Sequence, residues 1–203
     1  MERKNKKLIA SDLLSTEYMS IAVAASLLAK EPGSPVTKAV KLWGDDEDPF
    51  RNLIVADSAS AKAWRHAMKT IIGNLRPDRS GRTVYRGWYF SSARQRTEFM
   101  AAIERTGYFI NERVGMSASR KLEVASGDPF LNKFGIIWEI RKPRSARNMA
   151  PIFTEIGAKF SSQREVIFPI GARLTLLSRA GPLRLNPLGK ELNVPYYVFQ
   201  EDA

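Results

Sequence analysis

Thr83-Val84-Tyr85-Arg86-Gly87-Trp88-Tyr89-Phe90 is where this chain changes character. β-Branched and aromatic side chains crowd the stretch, which is the composition of a strand. Upstream, the apolar residues recur at helical intervals. Residues 8–30 are predicted helical and are closed by the breaker Glu31-Pro32-Gly33-Ser34-Pro35. Over residues 60–74, Ala61, Trp64, Ala67, Met68, Ile71 and Ile72 make one helical stripe, with Asp57-Ser58 as its cap. His66 falls off that stripe, at the surface or its rim. Downstream, residues 92–106 read as a helix and 108–114 as a strand. A short helix follows Ser119 and ends near residues 126–129. Residues 134–140, 165–170, 173–177 and 196–199 read as further strands. Helices first and short strands afterwards is an α+β order, not an alternating, doubly wound one. The expected organisation is one compact domain, with a helical lobe over residues 1–80 and a β-rich core over residues 81–203.

Composition narrows the chemistry. Of 203 residues, 44% are hydrophobic and 26% charged, the balance of a soluble globule with a core. The absence of Cys excludes disulfides, thiolate metal sites and cysteine nucleophiles, and a single His excludes a multi-histidine metal centre. The acidic run Asp45-Asp46-Glu47-Asp48 reads as a solvated loop, because ligands of a hard cation converge from alternating positions. A basic start followed by the apolar residues 18–29 imitates an export signal, but Asp12 and Glu17 interrupt it. The run is also too short to span ~30 Å of hydrocarbon, so a cytoplasmic protein without a membrane partner is expected.

Charge is the strongest global signal. Lys and Arg number 32 against 21 Asp and Glu, a net +11 that favours a polyanionic partner or a polyanionic part of a substrate. Residues 65–121 alone hold 12 basic and 4 acidic residues, with Trp88, Tyr89 and Phe90 interleaved. Basic grooves with stacking aromatics hold single-stranded nucleic acid. The competing reading makes Trp88 and Phe90 core residues and leaves the arginines to solubility.

Three further pieces carry chemistry in combination: Tyr85-Arg86-Gly87, Ser117-Ala118-Ser119, and Gln163-Arg164-Glu165-Val166-Ile167-Phe168-Pro169. Singly, each has a plain structural use: a solvated strand arginine, a helix cap, a wet strand edge. In this order and spacing the set resembles the Arg–Ser–Glu class of mono-ADP-ribosyltransferases over about residues 82–200, with a layout similar to the small phage enzymes of the Mod and Alt type. The resemblance implies an N-terminal helical lobe and two small, mostly antiparallel sheets forming a cleft for NAD, which is consumed as co-substrate without a metal. It gives Glu165 the role of stabilising positive charge that builds up on the ribose and of hydrogen-bonding its hydroxyl. Ser117 would hold that carboxylate. Arg86 would present its planar fork of donors to the ribose-phosphate, and Gly87 would let backbone approach the nicotinamide amide. Gln163 would project from the same strand face as Glu165 and position the acceptor, with Phe160 as a flat apolar contact to it. Arg144 or Arg147, in the basic loop 141–147, would touch the NAD diphosphate; a solvated basic loop is the alternative.

The same resemblance bears on the acceptor. Glu-x-Glu accompanies arginine acceptors in this class, whereas Gln-x-Glu accompanies asparagine or guanine, so Gln163 argues against an arginine-directed enzyme. With the basic excess, a nucleic-acid base is the favoured acceptor and a protein side chain, on host transcription or translation machinery, the runner-up. Both imply a toxin or phage–host conflict effector, for which an antitoxin or inhibitor protein is an expected partner. A non-catalytic basic nucleic-acid-binding module is the alternative from another class.

Overall fold

The computed structural model describes residues 8–45, 59–112, 115–127, 131–159, 161–163, 165–185 and 192–202. It divides into two compact units: Met1–Arg76 with Met149–Ser162, and Pro77–Asn148 with Gln163–Ala203. The first unit thus joins the N-terminal residues to the later segment Met149–Ser162.

The first unit is helical. A 3-10 turn, Ala10–Leu14, precedes α1 (Ile21–Lys30), α2 (Pro35–Asp45) and α3 (Ala59–Asn74), and α6 (Ala150–Glu155) completes it. Residues 8–30 are thus not one helix: Ser20 starts α1 afresh, its hydroxyl accepting from the Val23 N–H at 3.3 Å. Leu13, Leu28, Val40, Met68, Ile71, Ile72, Ile152 and Phe153 are fully buried, while His66 is exposed. A Cβ on Gly44 of α2 would meet the Ala158 side chain at 2.7 Å and Phe153 at 2.9 Å, so only glycine allows this approach. Asp45 accepts from Lys41 and from the Lys159 backbone N–H. The rest of the acidic run, Asp46 to Asp48, and the expected cap Asp57-Ser58 lie outside the described residues. No helix among the described residues is long and apolar enough to cross a membrane.

The second unit carries the strands: β1 (Val84–Trp88), β2 (Tyr108–Ile110), β3 (Met116–Ser119), β4 (Ile136–Arg141), β5 (Arg147–Asn148), β6 (Glu165–Phe168), β7 (Arg173–Leu185) and β8 (Leu192–Glu201). They form one sheet in the order β2-β7-β8-β4-β1-β3-β6-β5, antiparallel except for β4 beside β8. The α+β class stands. The two small sheets expected from the sequence are the two halves of this sheet, joined between β1 and β3 by the single pair Tyr85–Ser119. Helix α4 (Ala93–Thr106) begins at Ser92, whose hydroxyl caps Gln95, and ends at Gly107 with φ 76°. Helix α5 (Leu122–Ala125) is a single turn.

β7 and β8 run well past the limits expected for them. Gly181-Pro182 and Pro195 fall together where the register shifts between Ala180 and Leu183. Proline is tolerated at such an irregularity, since no ladder N–H is required there.

One face of the sheet holds the core. Val84, Ile136, Trp138, Ile140, Met116, Ala118, Val166, Phe168 and Phe199 pack on it with Met100 and Ile103 of α4. Trp138 is fully buried, with Phe199 at 4.3 Å, Trp88 at 5.0 Å and Phe109 at 5.1 Å between ring centroids. Trp88 and Phe90 belong to this cluster and only Tyr89 of the three aromatics is exposed. The stacking platform for single-stranded nucleic acid expected at residues 88–90 is therefore core packing.

Candidate active site

Side chains directly opposite in an antiparallel ladder share a face, and neighbours along a strand alternate. Tyr85 lies opposite Glu139 on one side and Ser119 on the other, and Ser119 lies opposite Glu165. A polar row, Glu139–Tyr85–Ser119–Glu165, thus crosses β4, β1, β3 and β6 on the face away from the core. Ser117, two residues before Ser119, stands beside the row and donates its hydroxyl to Glu165 Oε1. Glu165 is 8% exposed, so the direction of its carboxylate is set by the protein rather than by water.

Arg86 approaches from the other side of β1. Its guanidinium lies 4.2 Å from the centre of the Trp88 ring, and Nη1 donates to the backbone carbonyl of Ser117. This reach is open to it because β1 and β3 share one residue pair and then part. Arg86, Ser117 and Glu165, from three strands, are joined through one residue: the Ser117 carbonyl takes the arginine and the Ser117 hydroxyl holds the glutamate. Gly87 is buried within β1, opposite Ile137.

Gln163 departs from expectation. It ends the 3-10 turn Ser161–Gln163 and β6 starts only at Glu165, so Gln163 does not project from that strand face. Its backbone carbonyl accepts from the Ser119 hydroxyl, which in turn takes the Lys121 N–H at 3.0 Å. Ser119 is buried and ties the turn before Glu165 to β3. It was legible only as a second serine at strand spacing from Ser117. Phe160 and Arg164 lie outside the described residues.

Arg147 is buried on β5 opposite Ile167, two residues along from Glu165 and on its face. Its Nη1 donates to the Ser145 carbonyl. Arg144 is exposed, and its backbone N–H and that of Ser145 are accepted by the buried Glu201 carboxylate.

At the far end of the row, Glu139 accepts from the Tyr196 hydroxyl and, at 2.7 Å, from Arg141 Nε. Burial by itself would raise the Glu139 carboxyl. The two hydrogen bonds and the Arg141 charge outweigh that and hold it below the usual carboxylate range. Tyr85 is pushed up by burial, then by the negative charges of Glu139 and Glu123, so its phenol stays protonated at neutral pH. Among the described residues no three His, Cys, Asp or Glu come together as a metal site.

The arrangement is a fixed carboxylate and a fixed guanidinium linked through Ser117, suited to a substrate with an anionic group and a centre that becomes cationic. No protein-family model matches the chain, and no curated protein does. Solved structures do match it in fold. The ADP-ribosyltransferase toxin Vis of Vibrio splendidus, in an inhibitor complex, superposes with TM-score 0.55 at 14% identity, over 95% of this chain and 90% of Vis. Exoenzyme S of Pseudomonas aeruginosa, bound to carba-NAD and in complex with human 14-3-3 protein beta, gives 0.51 at 16%, over 89% and 73%. The ADP-ribosyltransferase HopU1 of Pseudomonas syringae pv. tomato DC3000 gives 0.47 at 15%, over 76% of this chain, which spans 64% of HopU1. The chain has the fold of the mono-ADP-ribosyltransferase toxins and effectors.

Proposed function

We propose that the protein is a mono-ADP-ribosyltransferase that moves ADP-ribose from NAD to a nucleic-acid base, as a toxin or conflict effector. The observation that carries the reading is the junction at Ser117, which holds Arg86 and Glu165 together at the seam of the sheet. In the transfer, the bond between nicotinamide nitrogen and ribose C1 breaks and its electron pair stays on the nicotinamide. Positive charge builds up on the ribose, an acceptor atom forms the new bond to C1, and a proton is released from that atom.

Each residue has a part the geometry supports. Glu165 is a preorganised negative charge for a centre that turns cationic only as the bond breaks, so it lowers the barrier more than it tightens binding. Ser117 keeps that carboxylate from rotating. Arg86 offers a planar donor fork to a phosphate oxygen, which a lysine does not reproduce. Arg147, on the Glu165 face, is the second cation for the diphosphate. Gln163, off the strand, sits where the chain enters β6 and is assigned to the acceptor.

The acceptor follows from charge. The second unit holds 19 of the 32 basic residues and 11 of the 21 acidic ones, a net +8 of the total +11. The test is NAD labelled on its adenylate half, incubated with the protein and a bacterial lysate, with Glu165→Gln as the control. Label released by nuclease alone is the expected result. Label released by protease alone makes the acceptor a protein side chain, and no Glu165-dependent label with no nicotinamide release leaves a basic binding module. In a growing bacterial culture, induced wild-type protein is expected to arrest growth and the Glu165→Gln form is not.

A further inference from the structure

The turn before β1 and the loop after β4 lie side by side. Val84 pairs with Ile140, so Arg82 and Lys142 continue from the same end of that ladder. The Asp78 N–H bonds the Ala146 carbonyl at 2.7 Å, which fixes the two segments against each other. Five cations are exposed on them: Arg79, Arg82, Arg141, Lys142 and Arg144. The nearby carboxylates are mostly occupied internally. Asp78 is paired with Arg120, Glu139 with Arg141 and Tyr196, and Glu201 with the N–H groups of Arg144 and Ser145; Glu123 is the exposed one.

The loop is held in shape rather than left to solvent. Lys142 has φ 48°, a left-handed conformation that costs a non-glycine residue about 1 kcal/mol or more and persists only where surroundings enforce it. Pro143 and Ala146 are buried beneath it, and Glu201 grips its backbone. A solubilising loop needs none of this. The surface adjoins the polar row at Glu139, three strand spacings, or about 14 Å along the sheet, from Glu165.

We infer that Arg79, Arg82, Arg141, Lys142 and Arg144 form a surface for the phosphate backbone of a nucleic-acid acceptor, leading it toward Glu165. NAD carries two phosphates, which Arg86 and Arg147 suffice to meet, so Arg79, Arg82, Lys142 and Arg144, with Arg141 beside them in its pair with Glu139, match a longer polyanion. The assignment of this surface to an acceptor rests on the transferase reading of the Glu165 site; polyanion binding itself does not.

The experiment is fluorescence anisotropy of a labelled single-stranded RNA of about 20 nucleotides with the full chain, without NAD. Arg79→Glu/Arg82→Glu is expected to weaken binding at least ~10-fold and to lower the slope of log affinity against log salt by about 1–2, since each lost contact on a single strand removes about 0.7. Lys142→Glu alone is expected to weaken it about 3–10-fold. The control, Arg94→Glu/Arg105→Glu on α4, makes the same charge change elsewhere and is expected to stay within about twofold. NAD hydrolysis by Arg79→Glu/Arg82→Glu is expected to be unchanged. Equal weakening by the α4 control would overturn the inference in favour of bulk charge. Unchanged RNA affinity with a raised KM for NAD would reassign the cations to the dinucleotide, and unchanged affinity with lost labelling of a protein acceptor would make this a protein-docking surface. Patch-dependent RNA binding in a wild-type protein that never turns over NAD would sink the transferase and leave the surface standing.

Discussion

The two halves of the sheet are built on opposite terms. In β2-β7-β8-β4-β1 the strands reach 13 residues and the stabilising contacts are aromatic, centred on Trp138. In β3-β6-β5 no strand exceeds four residues, and the polar side chains are fixed by hydrogen bonds: the Ser117 hydroxyl to the Glu165 carboxylate, the Ser119 hydroxyl to the Gln163 backbone carbonyl and the Arg147 guanidinium to that of Ser145. The first half is mainly a scaffold built on its aromatic core, although Arg86 of β1 reaches across to the Ser117 carbonyl. The second places particular atoms. Substitutions in the aromatic core and at the bonded polar groups, Arg86 included, should therefore be read by different measurements, stability in one and turnover in the other.

The largest effect is expected at the scaffold. Trp138→Ala removes the centre of the aromatic cluster and should cost about 3–5 kcal/mol of stability, measured by urea unfolding. A cost under about 1 kcal/mol would mean that the core lies elsewhere. Next comes Glu165→Gln, which keeps shape and removes charge. It should lower kcat for NAD cleavage about 10²–10³-fold, with KM for NAD little changed, because the interaction belongs to the transition state. Its unfolding free energy should stay within about 1 kcal/mol of wild type; a larger loss would erase the contrast between the halves.

What the sequence disclosed follows the same division. Local signals reached the strand at residues 83–90, observed as Val84–Trp88, and the helix at 92–106, observed as Ala93–Thr106. The resemblance to the Arg–Ser–Glu class, not any local signal, singled out Arg86, Ser117 and Glu165, which the structure links through Ser117. What the local signals missed depends on distant partners. The strands expected over 173–177 and 196–199 extend to Arg173–Leu185 and Leu192–Glu201 because the two pair with each other, with Pro182 and Pro195 placed at one register shift. Trp88 and Phe90 resemble a stacking surface until Phe99, Phe109 and Trp138 close over them. Gln163 shares strand spacing with Glu165, but Ser119 takes its carbonyl and the turn ends there.

A smaller effect sharpens the role of the seam. Ser117→Ala deletes the hydroxyl that holds Glu165 but leaves the backbone carbonyl that holds Arg86. It should lower kcat about 5–30-fold, the equivalent of about 1–2 kcal/mol for one hydrogen bond to a charged group, with NAD affinity preserved. A rise in KM with unchanged kcat would show that Ser117 serves the arginine rather than the glutamate.

The smallest effect tests whether the polar row stabilises the scaffold end. Tyr196→Phe removes one of the two hydrogen bonds that depress Glu139. A carboxyl whose folded pKa lies below its unfolded one contributes stability above the ordinary value of 4.5, and loses it as pH falls through the folded value. The variant should thus be less stable than wild type by about 1 kcal/mol at neutral pH. The difference should shrink in acid as Glu139 protonates in both proteins, because the neutral carboxyl holds the tyrosine hydroxyl less strongly. Urea midpoints for the two proteins at pH 7 and pH 3 check this. A difference that is constant or grows on acidification would assign the loss to packing of the Tyr196 ring and detach Glu139 from the stability of β4 and β8.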